Sequence, residues 1–114
     1  MSDEHEDVRI WDDQDNHRFA LEVDGQPAGM AVYHLRGGRH FFVHTEVDDK
    51  FSGRGLGTRL VKTALDEVRE AGGKVVPLCP LFAAYIERHP EYQDLVDEEI
   101  MARVERSREA DEGE

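Results

Sequence analysis

Apolar residues recur at helical spacing over residues 55–71, the most regular pattern in the chain. They are Leu56, Leu60, Val61, Ala64, Leu65, Val68 and Ala71, and they form one stripe with charged residues between them. Gly72 and Gly73 follow the stripe, and a glycine just past the last turn is typical of a helix end. The pattern predicts one amphipathic helix that covers one face of a sheet.

Three strand patterns precede this helix, at residues 18–23, 28–36 and 39–47. Residues 24–27, Asp-Gly-Gln-Pro, have the composition of a turn, and Gly37-Gly38 is typical of a two-residue hairpin turn. The three strands are therefore predicted to form an antiparallel meander. Residues 1–16 are polar and predicted to be loose, apart from a short stretch at residues 8–11.

Alternation along the third strand predicts two different faces. Phe41, Val43, Thr45 and Val47 point to one side, which is apolar and suits cover by the helix. Phe42, His44 and Glu46 point to the other side. The second face carries two polar groups and is predicted to be the substrate side.

A short apolar strand, residues 74–79, follows the helix and completes a strand–helix–strand unit, so it should lie parallel to the third strand. Pro77 is unusual inside a strand, because proline cannot donate to a ladder. The alternative is a strand that ends at Val76. Pro80 then opens a helix over residues 81–88, and residues 91–109 predict a short link and a final helix.

Three alternate glycines, Gly53, Gly55 and Gly57, lie where the third strand hands over to the helix. Glycine allows close approach of the backbone to a ligand, and the first turn of a helix presents free N–H groups. Together these features predict a main-chain cradle for a pyrophosphate; the alternative is a tight turn without a ligand. A dinucleotide fold and a P-loop are disfavoured, because a second βαβ half and a Gly-Lys-Ser/Thr motif are lacking.

The segment Ser52-Gly53-Arg54-Gly55-Leu56-Gly57 resembles the acetyl-coenzyme A loop of the Gcn5-related N-acetyltransferases, written Gln/Arg-x-x-Gly-x-Gly/Ala. Gly55 and Gly57 match this pattern, whereas Ser52 departs from it at the leading position. Segments 44–47, 77–80 and 84–92 resemble a subfamily of very small, single-domain members. The likeness covers roughly residues 18–96 and is specific when the flanks are included.

The resemblance implies an α/β domain with a reduced Gcn5-like acyl-CoA N-acyltransferase fold. Its mixed sheet begins as an antiparallel meander and ends in a parallel βαβ unit. In that family the two central strands splay apart, and the pantetheine arm of the cofactor pairs with the exposed main chain. A proline at the splay, here Pro77, loses no hydrogen bond. The implied cofactor is acetyl-coenzyme A or coenzyme A, bound by Thr45, Val47, Gly53, Arg54, Gly55, Leu56, Gly57 and Thr58.

Four residues are candidates for catalysis: Cys79, Glu46, His44 and Tyr85. The resemblance places Cys79 near the thioester, and the alternative is a small buried hydrophobe. Glu46 or His44 can take the proton of an acceptor ammonium, directly or through water; the alternatives are a surface carboxylate and a packed ring. Family members often use a tyrosine near Tyr85 to protonate the departing thiolate. Direct transfer to the amine is favoured over an acetyl-cysteine route.

Charge divides the chain into three parts: an acidic segment at residues 1–16, the acetyltransferase-like domain at 17–96, and an acidic C-terminal helix and tail at 97–114. The net charge is −12, but residues 16–96 carry eleven acids and ten bases, so the acidity belongs to the ends. Nucleic-acid binding is disfavoured, because a basic stripe is lacking. One cysteine and unpaired histidine spacing predict no metal site. A leader and a membrane span are not expected, so the predicted location is cytoplasmic.

Two functions remain open from the sequence. The full-size family has two helices between its first two strands, whereas only residues 24–27 join the strands at 18–23 and 28–36. The wall that those helices give the acceptor site is therefore expected to be missing. One function is acetyl transfer from acetyl-coenzyme A to a primary amine, on a small molecule or a protein. The alternative is a non-catalytic coenzyme A-binding protein. A monomer or weak homodimer is expected.

Overall fold

A five-stranded mixed sheet, crossed on one face by a long helix, is the framework of the protein. The computed structural model describes residues 7–112. The strands are β1 (Val8–Asp13), β2 (Arg18–Val23), β3 (Gln26–Arg36), β4 (Arg39–Val47) and β5 (Lys74–Pro77), and they lie in that order across the sheet. The helices are α1 (Leu56–Glu70), α2 (Pro80–Arg88) and α3 (Glu98–Glu112). The predicted α/β class is confirmed: β1 to β4 are antiparallel, and β5 lies parallel to β4.

The antiparallel part has four strands instead of the predicted three. Residues 8–13 form β1, which pairs with β2 in register from Val8↔Val23 to Asp13↔Arg18. The expected exception at residues 8–11 is thus a strand, and the expectation that Asp12 and Asp13 are loose is wrong. Residues 1–6 of the predicted acidic segment lie outside the described residues. The Tyr33 hydroxyl on β3 donates to Asp12 Oδ1 at 2.6 Å, and burial raises the pKa of Tyr33 well above its usual range. This hydrogen bond ties β1 to the core.

The new strand also moves the junction at which the larger family members carry two helices. With β1 as the first strand, that junction is residues 14–17, not residues 24–27 as expected. A single 3₁₀ turn, Gln14–Asn16, connects β1 to β2, and His17 takes a left-handed conformation at its end. The junction contains only this 3₁₀ turn and no long helix, as expected, but it lies earlier in the chain than expected.

The core lies between the sheet and α1. Six of the seven residues in the predicted stripe are buried, namely Leu56, Leu60, Val61, Ala64, Leu65 and Val68, whereas Ala71 is exposed just beyond the helix. They pack against the core face of the strands, which includes Phe19, Leu21 and Tyr33. Helix α1 contacts all five strands. One face of the sheet is therefore covered along its whole width.

A bulge in β4 changes the predicted division of its faces. The pairing with β3 runs Val32↔His44 and then Tyr33↔Phe42, so Val43 has no residue opposite it. Phe42 is completely buried in the core, while His44 and Glu46 are exposed. The prediction that Phe42 shares a face with His44 and Glu46 is wrong, because one extra residue shifts the side-chain alternation.

The last part of the chain packs around β5. β5 ends at Pro77, two residues before the predicted end at residue 79 and one residue after the alternative end at Val76, and α2 begins at Pro80. The Phe82 ring on α2 stacks on Phe42 with centroids 4.1 Å apart. A 3₁₀ segment, Pro90–Leu95, leads to α3, which contacts β5 through a partly buried face. Within residues 7–112, no helix has both the length and the apolar composition needed to cross a bilayer.

A truncation pair tests the role of β1. Deleting residues 1–7 should leave the melting temperature nearly unchanged, because β1 and its pairing with β2 remain. Deleting residues 1–13 also removes the packing of Val8 and Ile10 and leaves the Tyr33 hydroxyl without Asp12. We expect the melting temperature of this second truncation, measured by thermal unfolding, to fall by at least roughly 10 °C. Equal melting temperatures for the two truncations would contradict the assignment of β1 to the folded core.

Candidate functional site

β4 and β5 diverge beyond Phe42 and leave an opening at one edge of β4. Their pairing ends at Phe42↔Pro77, and the Cys79 N–H then donates to Phe42 O at 2.8 Å. After this bond the chain turns into α2 at Pro80, while β4 continues as residues 43–47. In the described sheet, β5 is the last strand on that side. We call the space between residues 43–47 and the start of α2 the β4–β5 opening.

Main-chain groups of β4 point into this opening. The Asp48 N–H donates to Ala28 O on the β3 side at 2.7 Å. Because main-chain groups alternate in direction along a strand, and the pairing from Thr45 to Val47 is regular, the N–H and C=O groups of Thr45 and Val47 point away from β3. An extended ligand with amide groups can pair with this edge as an added strand would.

The start of α1 is arranged as an anion site. Gly55 is the N-cap residue, so it has no side chain to cap the helix, and residues 56–59 contain no acid. The first N–H groups of a helix have no intrahelical partner, and at α1 no side-chain cap takes its place. The helix dipole also favours an anion there. Gly53 and Gly55 have φ angles of +81° and +73°, values that favour glycine. The backbone conformation of the loop thus explains both glycines.

Gly57 has a different role, because its φ angle is not positive. A β-carbon built on Gly57 would lie 3.5 Å from Val47 Cγ2 and 3.8 Å from Leu81 Cδ2. These are ordinary van der Waals distances, so a methyl group would fit at Gly57 but would fill the narrow space between β4 and α2, which we call the passage. Leu81 is 41% exposed beside this passage and provides an apolar wall. Sequence reasoning missed Leu81, because an exposed leucine is not distinguishable from a buried one by helical periodicity alone.

Cations surround the loop, and some have structural partners. Lys50 and Arg54 lie over the Phe51 ring at 5.6 and 5.5 Å from its centroid. Lys62 is paired with Asp66 at 2.9 Å, four residues along α1. Thr58 and Arg59 are exposed in the first turn of α1. The side chains near the helix start are therefore mostly positive, which complements a phosphate.

Cys79 and Thr45 meet at the opening. The distance between Thr45 Oγ1 and Cys79 Sγ is 3.2 Å, and the cysteine is 5% exposed. Cys79 is the N-cap residue of α2, at the end of the β5 segment. The structure thus brings together two candidates that are 34 residues apart in the chain. Cys79 is buried, as the simple packing alternative expected, and it also lies beside the β4 edge.

His44 and Glu46 lie on the face of the sheet opposite α1. Their side chains are joined by a hydrogen bond of 2.8 Å between His44 Nε2 and Glu46 Oε2, and both are more than half exposed. They are neighbours of Thr45 in β4 and therefore border the opening from the opposite side. A carboxylate and an imidazole in this position can exchange a proton with a ligand in the opening or with water.

Tyr85 is a buried residue of α2. Its ring stacks on His89 with centroids 4.1 Å apart and contacts the Tyr92 ring at 5.8 Å. Burial, together with a hydrogen bond from Tyr92 to Asp66, raises the pKa of Tyr92. Tyr85 is thus part of an aromatic cluster between α2 and the 3₁₀ segment. The acid role suggested for Tyr85 stays a prediction.

Three comparisons with known proteins agree with this geometry. A family model described as GCN5-related N-acetyl-transferase matches residues 18–95. The protein NATD1 of mouse is 31% identical over 85 residues, which cover 73% of this chain and 77% of that protein. Human NATD1 is also 31% identical over 85 residues, with 75% of that protein covered. The matched region runs from β2 to the end of the 3₁₀ segment before α3.

Two solved structures share the fold. A GCN5-like protein from Staphylococcus aureus, determined in solution by NMR, superposes with a TM-score of 0.59 at 22% identity, covering 79% of this chain and 86% of that one. The ribosomal-protein-S18-alanine N-acetyltransferase from Escherichia coli has a TM-score of 0.52 at 24% identity, covering 62% and 49% of the two chains. At these identities the likeness shows the architecture of the domain.

The two kinds of glycine in the loop predict two kinds of mutant. In Gly57→Ala the methyl group fits, and alanine favours the helix by up to about 1 kcal/mol, so thermal stability should be kept. The same methyl narrows the passage between Val47 and Leu81. We expect coenzyme A affinity to fall at least roughly tenfold, or about 1.4 kcal/mol, in isothermal titration. Wild-type affinity in this variant would contradict the passage.

Gly55→Val is the matched comparison at the neighbouring glycine. Valine at a φ angle of +73° strains the backbone, and such strain costs roughly 1–3 kcal/mol. Both the melting temperature and the coenzyme A affinity should therefore fall. A variant that loses affinity but keeps full stability would show that Gly55 provides space instead of conformation.

Proposed function

The chain belongs to the GCN5-related N-acetyltransferase family, and from this premise we propose that it transfers an acetyl group from acetyl-coenzyme A to a primary amine. The observation that carries the proposal is the β4–β5 opening, which has the start of α1 beside it and polar side chains on its far side. A cofactor held there would have its acyl end within reach of both faces of the sheet. The amine would attack the thioester directly.

The residues around the opening fit coenzyme A. The free N–H groups at the start of α1 suit its pyrophosphate, and the absence of a side chain at Gly57 leaves room for the approach. The main-chain groups of Thr45 and Val47 suit the two amides of the pantetheine arm. Leu81 offers an apolar contact along the same path. Each of these features is a main-chain or steric property, so none depends on the acidic ends of the chain.

Bound acetyl-coenzyme A supplies an acetyl group that is already activated as a thioester. The protein has to orient an amine and accept its proton. Glu46, with His44 at 2.8 Å, is the proposed base, because a protonated amine must lose a proton before its nitrogen can attack. Thr45 and Cys79 border the opening from the side of α2 and position the thioester. Tyr85 is the proposed acid for the departing thiolate, from the α2 side.

A second function is favoured by one observation. The junction of β1 and β2 is a short 3₁₀ turn, so no long helix between these two strands walls the face that carries Glu46. A protein that binds coenzyme A without turnover, as a sensor or an interaction module, would need no such wall. Acetyl transfer to any amine in a screen with acetyl-coenzyme A would reject this alternative, and cofactor binding without transfer would support it.

The cofactor is tested first by selectivity. Coenzyme A and acetyl-coenzyme A should bind in preference to NAD and ATP, because the loop lacks the motifs of the other nucleotide sites and lies beside an open strand edge. Isothermal titration with each ligand gives the comparison. Preference for NAD, or no heat with any coenzyme A species at millimolar concentration, would reject both proposed functions.

The route of transfer is tested by two substitutions. Direct transfer needs an oriented amine and a base, so Cys79→Ala should keep activity within severalfold, while Glu46→Gln should lose roughly 10²-fold or more in kcat. In the covalent route the Cys79 thiolate attacks the thioester carbon, the acetyl–cysteine bond forms and coenzyme A leaves as its thiolate. Mass spectrometry of the Cys79 peptide distinguishes the routes. An acetyl-Cys79 species that forms and decays at the rate of product formation would overturn direct transfer.

A further inference from the structure

A cavity of about 310 Å³ lies on the face of the sheet opposite α1. Four of its residues are direct neighbours across four strands: Trp11 on β1 pairs with Ala20, Ala20 with Met30, and Met30 with Glu46. Ala20 is small and lies between two large side chains, so it forms the floor, and it is only 7% exposed. We call this cavity the acceptor pocket. It begins at Trp11 and ends at Glu46, on the border of the β4–β5 opening.

The length of the pocket restricts its ligand. Neighbouring strands lie about 4.8 Å apart, so the row from Trp11 to Glu46 spans roughly 14 Å. A ligand with its amine at Glu46 can therefore extend an apolar body over Ala20 and Met30 to the indole ring. A lysine side chain, with its four-carbon stem, is too short to reach from Glu46 to Trp11.

The charge is uneven along the pocket. Glu46 and Asp48 line the end near the opening, and neither has an ion pair with Lys or Arg in the described part of the chain. Farther from the opening, Arg18 is paired with Asp13 at 3.2 Å and also reaches Met30 Sδ at 3.7 Å. Arg9 is paired with Glu22 at 3.5 Å. The two arginines are thus paired with acids, while the end near the opening carries two carboxylates: Glu46 is hydrogen-bonded to His44, and Asp48 accepts from the Lys50 N–H.

The Trp11 end of the pocket is unfavourable for a second cation. The Arg9 guanidinium lies 5.2 Å from the centroid of the Trp11 ring, so cations already occupy that neighbourhood. A second ammonium placed at Trp11 would meet the cations of Arg9 and Arg18. A ligand with one ammonium and one uncharged tail fits this distribution better than a diamine does.

We propose that the acceptor pocket binds a small primary monoamine with an alkyl or arylalkyl tail, and that this amine is the acceptor of acetyl transfer. The ammonium group lies at Glu46, and the tail lies over Ala20 and Met30 beside Trp11. This assignment rests on the proposed acetyltransferase function for the role of the amine. Binding of the amine in the pocket, however, depends only on residues of the sheet face opposite α1.

Trp11 is the only tryptophan in the chain, so its fluorescence reports on the pocket directly. Titration with 4-phenylbutylamine should give a saturable change in Trp11 fluorescence. The alcohol 4-phenylbutanol, which lacks the charge, should bind at least tenfold more weakly. Glu46→Gln should weaken amine binding about tenfold, since a charge-assisted hydrogen bond is lost. The exposed Glu70→Gln on α1 is the matched control and should leave binding unchanged.

Ala20→Leu tests the floor of the pocket by filling it. Amine binding should be lost in this variant. Coenzyme A binding, measured by calorimetry, should stay intact and would show that the protein is folded. Should Ala20→Leu fail to fold, Met30→Lys places a cation in the same row and should also remove amine binding. Unchanged amine affinity in either folded variant would overturn the assignment of this pocket as the amine site.

Competing ligands separate the remaining outcomes. Tighter binding of 1,5-diaminopentane than of 4-phenylbutylamine would overturn the monoamine assignment, and tighter binding of a lysine peptide would overturn a small-molecule acceptor. No saturable Trp11 response, with coenzyme A binding intact, would overturn the proposal while the acetyltransferase function stands. A Trp11 response without any coenzyme A binding would support the amine pocket and remove the proposed function.

Discussion

The divergence of β4 and β5 is the constraint on which the rest of the site depends. The stack of Phe42 on Phe82 fixes α2 against the sheet, and the bond from the Cys79 N–H to Phe42 O is where the β5 segment leaves β4. Because Pro77 cannot donate, the strand ends there without losing a hydrogen bond. The β4 edge beyond it stays available, and the start of α1 lies beside it because the helix follows directly from β4.

The site is therefore built mainly from main-chain groups, and this explains which parts of it the sequence could predict. The helix stripe and the alternate glycines are local signals, so α1 and the glycine loop before it are predictable from spacing alone. The two reasons for glycine are not readable. Gly55 is required by its φ angle of +73°, whereas a β-carbon at Gly57 would make ordinary contacts with Val47 and Leu81, and only the folded backbone distinguishes the two positions.

The failures of prediction have tertiary causes. Strict alternation placed Phe42 with Glu46, but the bulge at Val43 lets Phe42 enter the core while Glu46 stays on the open face. Strand β1 was missed because Asp12 and Asp13 give it a polar composition; Asp12 is nevertheless accommodated by the Tyr33 hydroxyl. The contact of Thr45 with Cys79 joins distant parts of the chain, and local spacing contains no signal for such a pair.

The net charge of −12 is compatible with binding of an anionic cofactor, because the acids at the ends of the chain and the groups at the start of α1 act over different distances. Exposed charges are screened over about 8 Å at physiological ionic strength, and the acids are concentrated toward the ends of the chain. The N–H groups at the start of α1 would instead contact such a cofactor at hydrogen-bonding distance, where screening is weak. On the opposite face, Glu46 and Asp48 provide negative potential for a cation. The N-terminus of α1 and the carboxylates of Glu46 and Asp48 thus lie toward opposite faces of the sheet, and the β4–β5 opening lies between them.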